Sequence, residues 1–490
     1  MVSPMTLRRT GLALAALLLI LIAVLTINTL RFTAVAQPSL PPLTVRDDPA
    51  AVQRLAEAVR IPTVSREAGS TDTAAFAALH AKLATDFPLV HAKLKLETVA
   101  GSSLLFTWTG SDPSLPPLLL LAHQDVVPVE AGSEGDWTHP PFSGEIADGA
   151  VWGRGSLDDK GMLMSVLEAT ERKLAAGWQP KRTVILAFGH DEEIGGSGAK
   201  AMAALLKSRG VKPLLVLDEG MAVTDGIIPG VAKPVALVGT AEKGYVTVEF
   251  TARAPGGHSS TPSPDNAIVS LSRAMARLAD NPFPARLDAP MADTFAAVGP
   301  HMGLGARVAF ANLWLTEPLI LRQLTGATAT AASVRTSTAP TIFHAGTKDN
   351  VLPQTARASV NHRILPGDTV AGVVARDRAT IGDPKIEVSA RLGAREPTQV
   401  SPTDGPAFAA LQRAIVRAYP DAIVAPGLTV AGTDSRNYGE LTPAVFRFSP
   451  MVVKPTDLSR IHGTDERMPV ADYLRAIAFY EAMLEEAAGR

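Results

Sequence analysis

Three apolar runs, each ending at histidine or carboxylate side chains, constrain the fold of this chain more than any other feature. The runs are PPLLLLAHQD at residues 116–125, TVILAFG at residues 183–189 and PLLVLDEG at residues 213–220. Each run is short and apolar enough for a buried strand, and helix-like segments alternate with the runs, which is typical of an α/β sheet. Ligands bind at the carboxyl ends of the strands in such sheets. The sequence therefore predicts an α/β domain with a polar site along that edge.

Three adjacent carboxylates, Asp191, Glu192 and Glu193, follow the second of these runs. Adjacent carboxylates repel one another and raise each other's pKa unless a cation neutralises them. The sequence therefore predicts one or two bound cations at this strand end.

Further candidate ligands lie at similar places along the chain. His123 and Asp125 are two residues apart at a strand end, so both side chains point to the same face. This spacing suits a metal-binding imidazole that a carboxylate orients, although structural histidines also show it. The segment GRGSLDDKG at residues 153–161 places two aspartates where a helix begins, which helix capping also explains. Asp218 and His462 add one more carboxylate and one more imidazole.

The composition narrows the chemistry of such a site. The chain contains no cysteine, which excludes disulfides, thiolate catalysis and cysteine-ligated zinc. Histidine and carboxylate ligands suit zinc, manganese or cobalt, and the excess of oxygen ligands suits two ions that share a bridging carboxylate. The balance of 46 Lys plus Arg against 48 Asp plus Glu gives no electrostatic signature of nucleic-acid binding.

The N-terminal segment predicts export. Arg8 and Arg9 precede 20 uncharged residues at 11–30, a length that can span a bilayer. An uncleaved signal-anchor is one interpretation, and a signal peptide cleaved after an A-x-A site at Ala34 and Ala36 is the other. Either interpretation places the body outside the cytoplasm, membrane-anchored in the first case and secreted or periplasmic in the second.

The pattern of predicted strands and helices changes after residue 243, which divides the body of the chain. Alternating strands, helices and a long apolar insert from there to about residue 397 predict a small α+β domain inserted into the α/β domain. The predicted segments are 1–36 for the N-terminal signal, 37–47 for a linker, 48–243 and 398–490 for the catalytic domain, and 244–397 for the inserted domain.

The chain resembles the dinuclear zinc amidohydrolases and exopeptidases of the carboxypeptidase G, aminoacylase and succinyl-diaminopimelate desuccinylase family. The motifs that carry the resemblance include AHQDVVPVE, GRGSLDDKG, GHDEEIGGSGA, GGHSSTP, NHRILPGD, GTDSRNY and RIHGTDE. They extend from about Asp48 to the C-terminus, and within the family the chain looks most like the carboxypeptidase S branch. The resemblance implies a catalytic domain with a central mixed sheet flanked by helices, and an inserted ferredoxin-like lid or dimerisation domain.

The resemblance also implies a site with two zinc ions, for which manganese or cobalt can substitute. The implied ligands are His123 and Asp218 for one ion, Glu193 and His462 for the other, and Asp158 as the bridge, followed by a cis peptide bond. Asp125 would orient His123. Glu192 would be the general base, because a base must lie beside the metal-bound water without being a ligand.

Three further residues are implied to contact the substrate. The histidine that matches His258 often reaches the active site of the other subunit in this family and donates to the oxyanion, which implies a homodimer through the inserted domain. Arg436 and Asn350 are candidates for binding the substrate, since an arginine suits a free amino-acid carboxylate, and a structural role is the alternative for Arg436. The insert between residues 281 and 338 is long enough to cover the dimerisation surface.

The function that follows is hydrolysis of the amide bond of an N-acyl amino acid or short peptide with a free C-terminal carboxylate. Hydrolysis or synthesis of N-fatty-acyl amino acids is the alternative main activity, and the apolar insert is a candidate acyl pocket, core segment or dimer interface. A non-catalytic binding protein on the same fold is the alternative from another class.

Overall fold

The computed structural model describes residues 4–66 and 72–489. The chain begins with a long helix, α1 (Pro4–Arg31), of which the segment Arg8–Arg31 is long and apolar enough to cross a membrane. The extended segment that follows is bound to the body of the protein. Gln37 forms hydrogen bonds with the backbone of Ala422 and Val424, and Leu40 and Leu43 pack against the main core.

The first part of the body supplies most of the catalytic sheet. Its helices are α2 (Pro49–Val59), α3 (Thr73–Asp86), α4 (Pro88–Lys93), α5 (Lys160–Ala175) and α6 (Ser197–Ser208). Its strands are β1 (Lys95–Val99), β2 (Ser103–Trp108), β3 (Leu118–His123), β4 (Glu145–Ala147), β5 (Ala150–Trp152), β6 (Val184–Gly189), β7 (Leu215–Thr224) and β8 (Val235–Glu242).

The middle of the chain forms a second sheet and its helices, and the last part returns to the first domain. The middle strands are β9 (Gly244–Arg253), β10 (Gly257–His258), β11 (Ser337–Ala345), β12 (Val351–Leu352), β13 (Thr355–Ile364) and β14 (Ile386–Ala390). The middle helices are α7 (Ala267–Asp280), α8 (Met291–Val298), α9 (Leu304–Ala311), α10 (Leu313–Leu324), α11 (Thr328–Val334) and α12 (Val370–Ile381). The last elements are α13 (Pro406–Ala418), β15 (Ile423–Thr429), β16 (Val445–Val453), β17 (Arg467–Pro469) and α14 (Val470–Met483).

The catalytic sheet has the strand order β1-β2-β6-β3-β7-β16-β8-β15. The pairs β3–β6, β3–β7, β7–β16 and β8–β15 are parallel, and β2 pairs antiparallel with both β1 and β6. Because helices cover both faces of the sheet, the central strand β3 is buried along its whole length. This confirms the predicted central mixed sheet flanked by helices.

The inserted unit has the chain order β9-α7-β11-β13-α12-β14 and the sheet order β11-β13-β9-β14, with every pairing antiparallel. This β-α-β-β-α-β arrangement is ferredoxin-like, as the resemblance implies. Its own apolar core lies between the sheet and the two helices, where Leu271 and Leu278 of α7 meet Val373 and Ile381 of α12.

The apolar insert folds as α8 to α11 and packs beside β15, at the edge of the catalytic sheet. Val231, Phe295 and Ile423 share one small core there, and the ring of Phe295 stacks on Phe310 at 4.5 Å between centroids. The insert therefore leaves the outer face of β11 uncovered, and most of the side chains in the middle of β11 are exposed.

Candidate metal centre and active site

The carboxyl ends of β6, β3 and β7 lie next to one another, because these strands are neighbours in the sheet. β3 ends at His123, and a short 3-10 turn that contains Glu192 and Glu193 follows β6. The loop before α5 brings Asp158 to the same edge. The predicted convergence of these side chains is therefore observed.

His123 is held from both sides. Its Nδ1 atom lies 3.0 Å from the backbone oxygen of Asp125 and 3.4 Å from the Oδ1 atom of that residue. The Asp125 carboxylate is fully buried and also accepts hydrogen bonds from the backbone N–H groups of Glu192 at 3.1 Å and Glu193 at 3.2 Å. Asp125 therefore orients the imidazole and fixes the turn that carries the two glutamates.

Asp158 lies between the two histidines. Its Oδ1 atom is 2.9 Å from Nε2 of His123, and its Oδ2 atom is 3.0 Å from Nε2 of His462. Burial by itself raises the pKa of Asp158, but the bonds from the two imidazoles outweigh it and lower the pKa. The peptide bond between Asp158 and Asp159 is cis, as the resemblance implies.

Two groups of potential ligands share Asp158. One contains His123, Asp158 and Glu219, and the other contains Asp158, Glu193 and His462; the ligand atoms of each group lie within 4.8 Å of one another. Imidazole nitrogens and carboxylate oxygens are the ligands that zinc, manganese and cobalt accept. The residues present therefore fit a centre of two divalent ions bridged by one carboxylate.

The first group contains Glu219 where the sequence predicted Asp218. Successive side chains of a strand point to opposite faces, so only one of these neighbours in β7 reaches the edge that holds His123. Asp218 faces away, and its carboxylate accepts a hydrogen bond of 2.7 Å from the backbone N–H of Ser435. The structure therefore brings Glu219, and not Asp218, into the first group, and Glu219 replaces Asp218 as the candidate ligand.

Glu192 belongs to neither ligand group but lines the same cavity. Burial raises the pKa of its carboxyl well above the usual value, although the nearby His123 opposes this shift. A carboxyl group beside the ligand groups that belongs to neither of them lies where a general base is needed.

Glu466 supports the loop that carries Asp158, and the sequence reasoning missed it. Its Oε1 atom accepts hydrogen bonds from the backbone N–H groups of Gly155 at 2.8 Å, Leu157 at 3.0 Å and Asp158 at 3.2 Å. Its Oε2 atom pairs with the Arg154 guanidinium at 2.6 Å. The available signal was its position four residues after His462, within the motif RIHGTDE.

The cavity at the ligand groups has a volume of about 340 Å³ and is lined by two kinds of side chain. Its acidic and imidazole side comprises Asp158, Glu192, Glu193, Glu219 and His462. Its apolar side comprises Leu157, Met221, Leu428, Val430, Met451 and Ile461. A substrate that fills this cavity meets both potential ligands and apolar side chains.

Residues 119–486 match the family described as Peptidase family M20/M25/M40. The chain belongs to this family. It is therefore a hydrolase of the metallopeptidase class, which confirms the predicted family and enzyme class.

Relatives of this M20 chain agree with it along most of its length. A probable carboxypeptidase S-like 2 of Dictyostelium discoideum is 40% identical over 96% of this chain and 92% of the relative. The N-fatty-acyl-amino acid synthase/hydrolase PM20D1 of Xenopus tropicalis is 41% identical over 96% of this chain and 93% of the relative. Carboxypeptidase S of Saccharomyces cerevisiae is 32% identical over 89% of this chain and 84% of the relative.

Solved M20 structures share the fold. The M20 family metallo-carboxypeptidase Sso-CP2 from Sulfolobus solfataricus superposes with a TM-score of 0.63 at 18% identity, over 89% of this chain and 98% of that one. The YXEP protein of Bacillus subtilis, described as a dinuclear metal binding peptidase of the M20 family, gives 0.55 at 14% identity, over 90% of this chain and 98% of that one.

Arg436 of the M20 chain is already paired. Its Nη2 atom lies 2.5 Å from Oε2 of Glu242, and Oε1 of that carboxylate accepts a hydrogen bond of 2.7 Å from Nε of Arg447. Arg436 lines a separate cavity of about 580 Å³ together with Arg395, and it is absent from the wall of the metal cavity. The structure therefore does not bring Arg436 together with the predicted ligands.

His258 and Asn350 lie next to each other but outside the metal cavity. His258 ends β10 and Asn350 precedes β12, and the backbone oxygen of Asn350 accepts a hydrogen bond of 3.1 Å from the Ser259 N–H. Both side chains are exposed, and neither contributes to the wall of the metal cavity. Within one subunit of this M20 enzyme, therefore, the two residues are separate from the ligand groups.

Proposed function

We propose that this protein is a zinc-dependent hydrolase that cleaves the amide bond of N-acyl amino acids with a free carboxylate. The observation that carries the proposal is the pair of ligand groups that share Asp158, with Glu192 in the same cavity. His123 and Glu219 would hold one ion, Glu193 and His462 the other, and Asp158 both. Divalent ions bound there supply Lewis-acid polarisation of the amide carbonyl and acidify water.

In this proposal the chain's own residues handle the proton and the geometry. A carboxylate oxygen of Glu192 takes the proton of the attacking water and passes it to the leaving amine nitrogen. Asp125 supports this step, because it fixes both the ring of His123 and the backbone of the turn that carries Glu192. The apolar wall of the cavity holds the acyl group and limits the access of bulk water.

Two substrate classes compete within this function: short peptides and N-fatty-acyl amino acids. The names of the relatives include both a carboxypeptidase S and an N-fatty-acyl-amino acid synthase/hydrolase. The six apolar side chains beside the ligand groups favour the fatty-acyl class, because a long acyl chain gains more from apolar contact than a polar peptide does. The apolar insert is an indirect contributor, since it packs beside β15, and β15 ends at the cavity residues Leu428 and Thr429.

The test compares oleoyl-phenylalanine with benzyloxycarbonyl-glycyl-leucine as substrates of the purified full chain after zinc loading. Higher kcat/KM for the oleoyl substrate supports the fatty-acyl class, and the reverse assigns the enzyme to short peptides. Glu192→Gln is the control, because it keeps every proposed ligand. We expect this variant to retain both ions by elemental analysis and to lose roughly 10²- to 10⁴-fold in kcat. Hydrolysis at the wild-type rate by Glu192→Gln contradicts the mechanism.

We also propose that α1 remains attached as a signal-anchor. Its residues Asn28 and Thr29 contact Asn312 of the folded body, and Phe32 packs so closely on Gly299 that a Cβ atom there would lie 2.8 Å from the ring. A segment destined for removal has no need of specific contacts with the mature domain. This supports an exported catalytic domain held at the membrane.

A homodimer through the inserted domain is the last part of the proposal. The edge strand β11 exposes Ile342 and Phe343 by 42% and 44%, and an unpaired apolar edge of this kind favours pairing with a second strand. His258 and Asn350 are exposed on the same domain. A second subunit would allow them to reach a metal cavity that they do not reach in their own chain.

A further inference from the structure

Two helices of the insert, α9 and α10, expose several large apolar side chains. Trp314, Leu315 and Leu319 of α10 are 62%, 46% and 66% exposed, and Leu304 at the start of α9 is 73% exposed. On α10 the exposed positions follow helical spacing and form one stripe. The stripe becomes polar one turn later, at Arg322 and Gln323, so the apolar part is confined to the first half of α10.

The apolar half of α10 starts at the point where the body contacts α1. Asn312, the residue between α9 and α10, is fully buried. Its side-chain Oδ1 atom accepts a hydrogen bond of 2.9 Å from Nδ2 of Asn28, and its Nδ2 atom lies 3.5 Å from Oγ1 of Thr29. Trp314 and Leu315 follow two and three residues later in the chain. The exposed apolar stripe therefore begins within the first turn of α10, directly after the residue that contacts α1.

The sequence shows where the contact with Asn312 lies along α1 relative to a bilayer. Residues 11–30 are uncharged and span roughly 30 Å as a helix, which matches the hydrocarbon core of a bilayer. Asn312 contacts α1 between Leu25 and Thr29, within roughly 9 Å of the helix end at Arg31. A bilayer that surrounds α1 therefore reaches the junction of α9 and α10.

The polar pairing of Asn28 suits an apolar environment. An amide side chain inside a bilayer costs free energy unless it is hydrogen-bonded, and Asn312 provides the partner. The other side of α1 remains free for lipid, because Ile22, Ile27 and Leu30 are 50%, 47% and 68% exposed. The contact between α1 and the insert is thus compatible with a helix that still spans the membrane.

We propose that the exposed stripe of Trp314, Leu315 and Leu319 on α10 lies in the surface of the lipid bilayer that α1 enters. The catalytic body would then be attached to the membrane at two places, the spanning helix and the insert. A tryptophan at such a surface suits the interface between headgroups and hydrocarbon, and Arg322 and Gln323 mark where the helix leaves the lipid. The inference rests on the retention of α1 and is independent of the substrate.

The experiment uses the absence of cysteine from the chain, because a single introduced cysteine is then the only thiol. Leu319→Cys of the full chain is labelled with an environment-sensitive fluorophore and reconstituted into phosphatidylcholine vesicles. Leu392→Cys is the matched control, because Leu392 is also an exposed leucine, at 100%, but follows β14 in the ferredoxin-like unit, outside the apolar insert. Trp314→Cys is a second reporter for the case in which Leu319→Cys does not fold, as judged by circular dichroism.

Fluorescence quenching distinguishes a label in the lipid from a label in water. We expect spin-labelled lipid to quench the fluorophore at position 319 at least twofold more than at position 392, and aqueous iodide to do the opposite. Equal iodide quenching at the two positions, without lipid quenching at 319, overturns the proposal. Cross-linking of two chains through the cysteine at 319 at low protein-to-lipid ratio also overturns it, because the stripe would then bind a second copy. Neither result depends on amide hydrolysis, so failure here is distinguishable from failure of the proposed function.

Discussion

At the scale of single residues, the choice between two adjacent carboxylates in β7 has the largest chemical consequence. The motif LDEG offers both Asp218 and Glu219, and the sequence by itself does not say which one faces the site. Pairing of β7 with β3 and β16 fixes the rotation of the strand, and that pairing joins residues far apart in the chain. His123 and His462 could be placed in one site from their motifs, because no adjacent residue of the same chemistry competes with either of them.

The first prediction separates the two carboxylates of β7. Glu219→Ala should lower the bound metal from two ions towards one and abolish most of the activity, because it removes a ligand of the first group. Asp218→Asn should keep two ions, because its carboxylate contacts the backbone of Ser435 and lies outside both groups. Elemental analysis of the purified variants measures this directly. Loss of an ion from Asp218→Asn with retention in Glu219→Ala would restore the original assignment.

At the scale of elements, the loop before α5 depends on a carboxylate from the other end of the chain. Glu466 accepts three backbone hydrogen bonds from this loop and pairs with Arg154, although more than 300 residues separate the partners. The glycines of GRGSLDDKG signal a turn in the sequence, but nothing local identifies the acceptor that satisfies its N–H groups. Sequence patterns therefore predicted the element and missed its support.

The second prediction concerns the stability of this loop. Glu466→Ala should lower the free energy of unfolding by roughly 3–5 kcal/mol, because it leaves the buried Arg154 guanidinium and three N–H groups without their acceptor. Glu97→Ala is the matched control, because Glu97 pairs with Arg209 at the surface and its loss should cost under about 1 kcal/mol. Chemical denaturation of the two variants gives the comparison. Equal losses would show that the buried pair adds nothing to the loop.

The third prediction is a pH dependence that arises where β8 joins the inserted domain. Burial by itself raises the pKa of Glu242, but Arg447 and Arg436 outweigh it and lower the pKa from 4.5 to about 2. Since the folded pKa is the lower one, the charged cluster adds stability above the unfolded pKa, and this stability is lost as the pH falls from 4.5 towards 2.

Glu242→Gln removes this titration and leaves both arginines in place. The variant should have a lower Tm than the wild type at about pH 7, and the gap should narrow at about pH 4 and below. Thermal unfolding across this range, followed by circular dichroism, checks the prediction. A gap of constant size would mean that the pairing of Glu242 does not depend on its ionisation.

At the scale of the whole molecule, the architecture was predictable and the docking of distant segments was not. Strand and helix periodicity, with the family motifs, indicated the mixed sheet and the ferredoxin-like unit. The insert packs beside β15, and Asn28 pairs with Asn312, which lies 284 residues further along the chain. Such contacts depend on the tertiary packing of complete helices and strands, and no local sequence pattern encodes them.

The last prediction tests whether two chains share one active site. If His258 acts in the cavity of the other subunit, Glu192→Gln and His258→Ala should each be impaired alone, with His258→Ala losing more in kcat than in KM. A mixed dimer of the two variants contains one cavity with both Glu192 and His258 intact. Equal mixing should then restore about one quarter of the wild-type activity, because about half of the dimers are mixed and each has one intact site of two.

The matched control for this complementation is a mixture of Glu192→Gln with His123→Ala. Both of these residues serve the cavity of their own chain, so neither cavity of this mixed dimer contains an intact Glu192 together with an intact His123. No activity beyond the sum of the separate variants is expected here, and native mass should correspond to two chains. Recovery in both mixtures, or in neither, contradicts a site that only His258 crosses between subunits to complete.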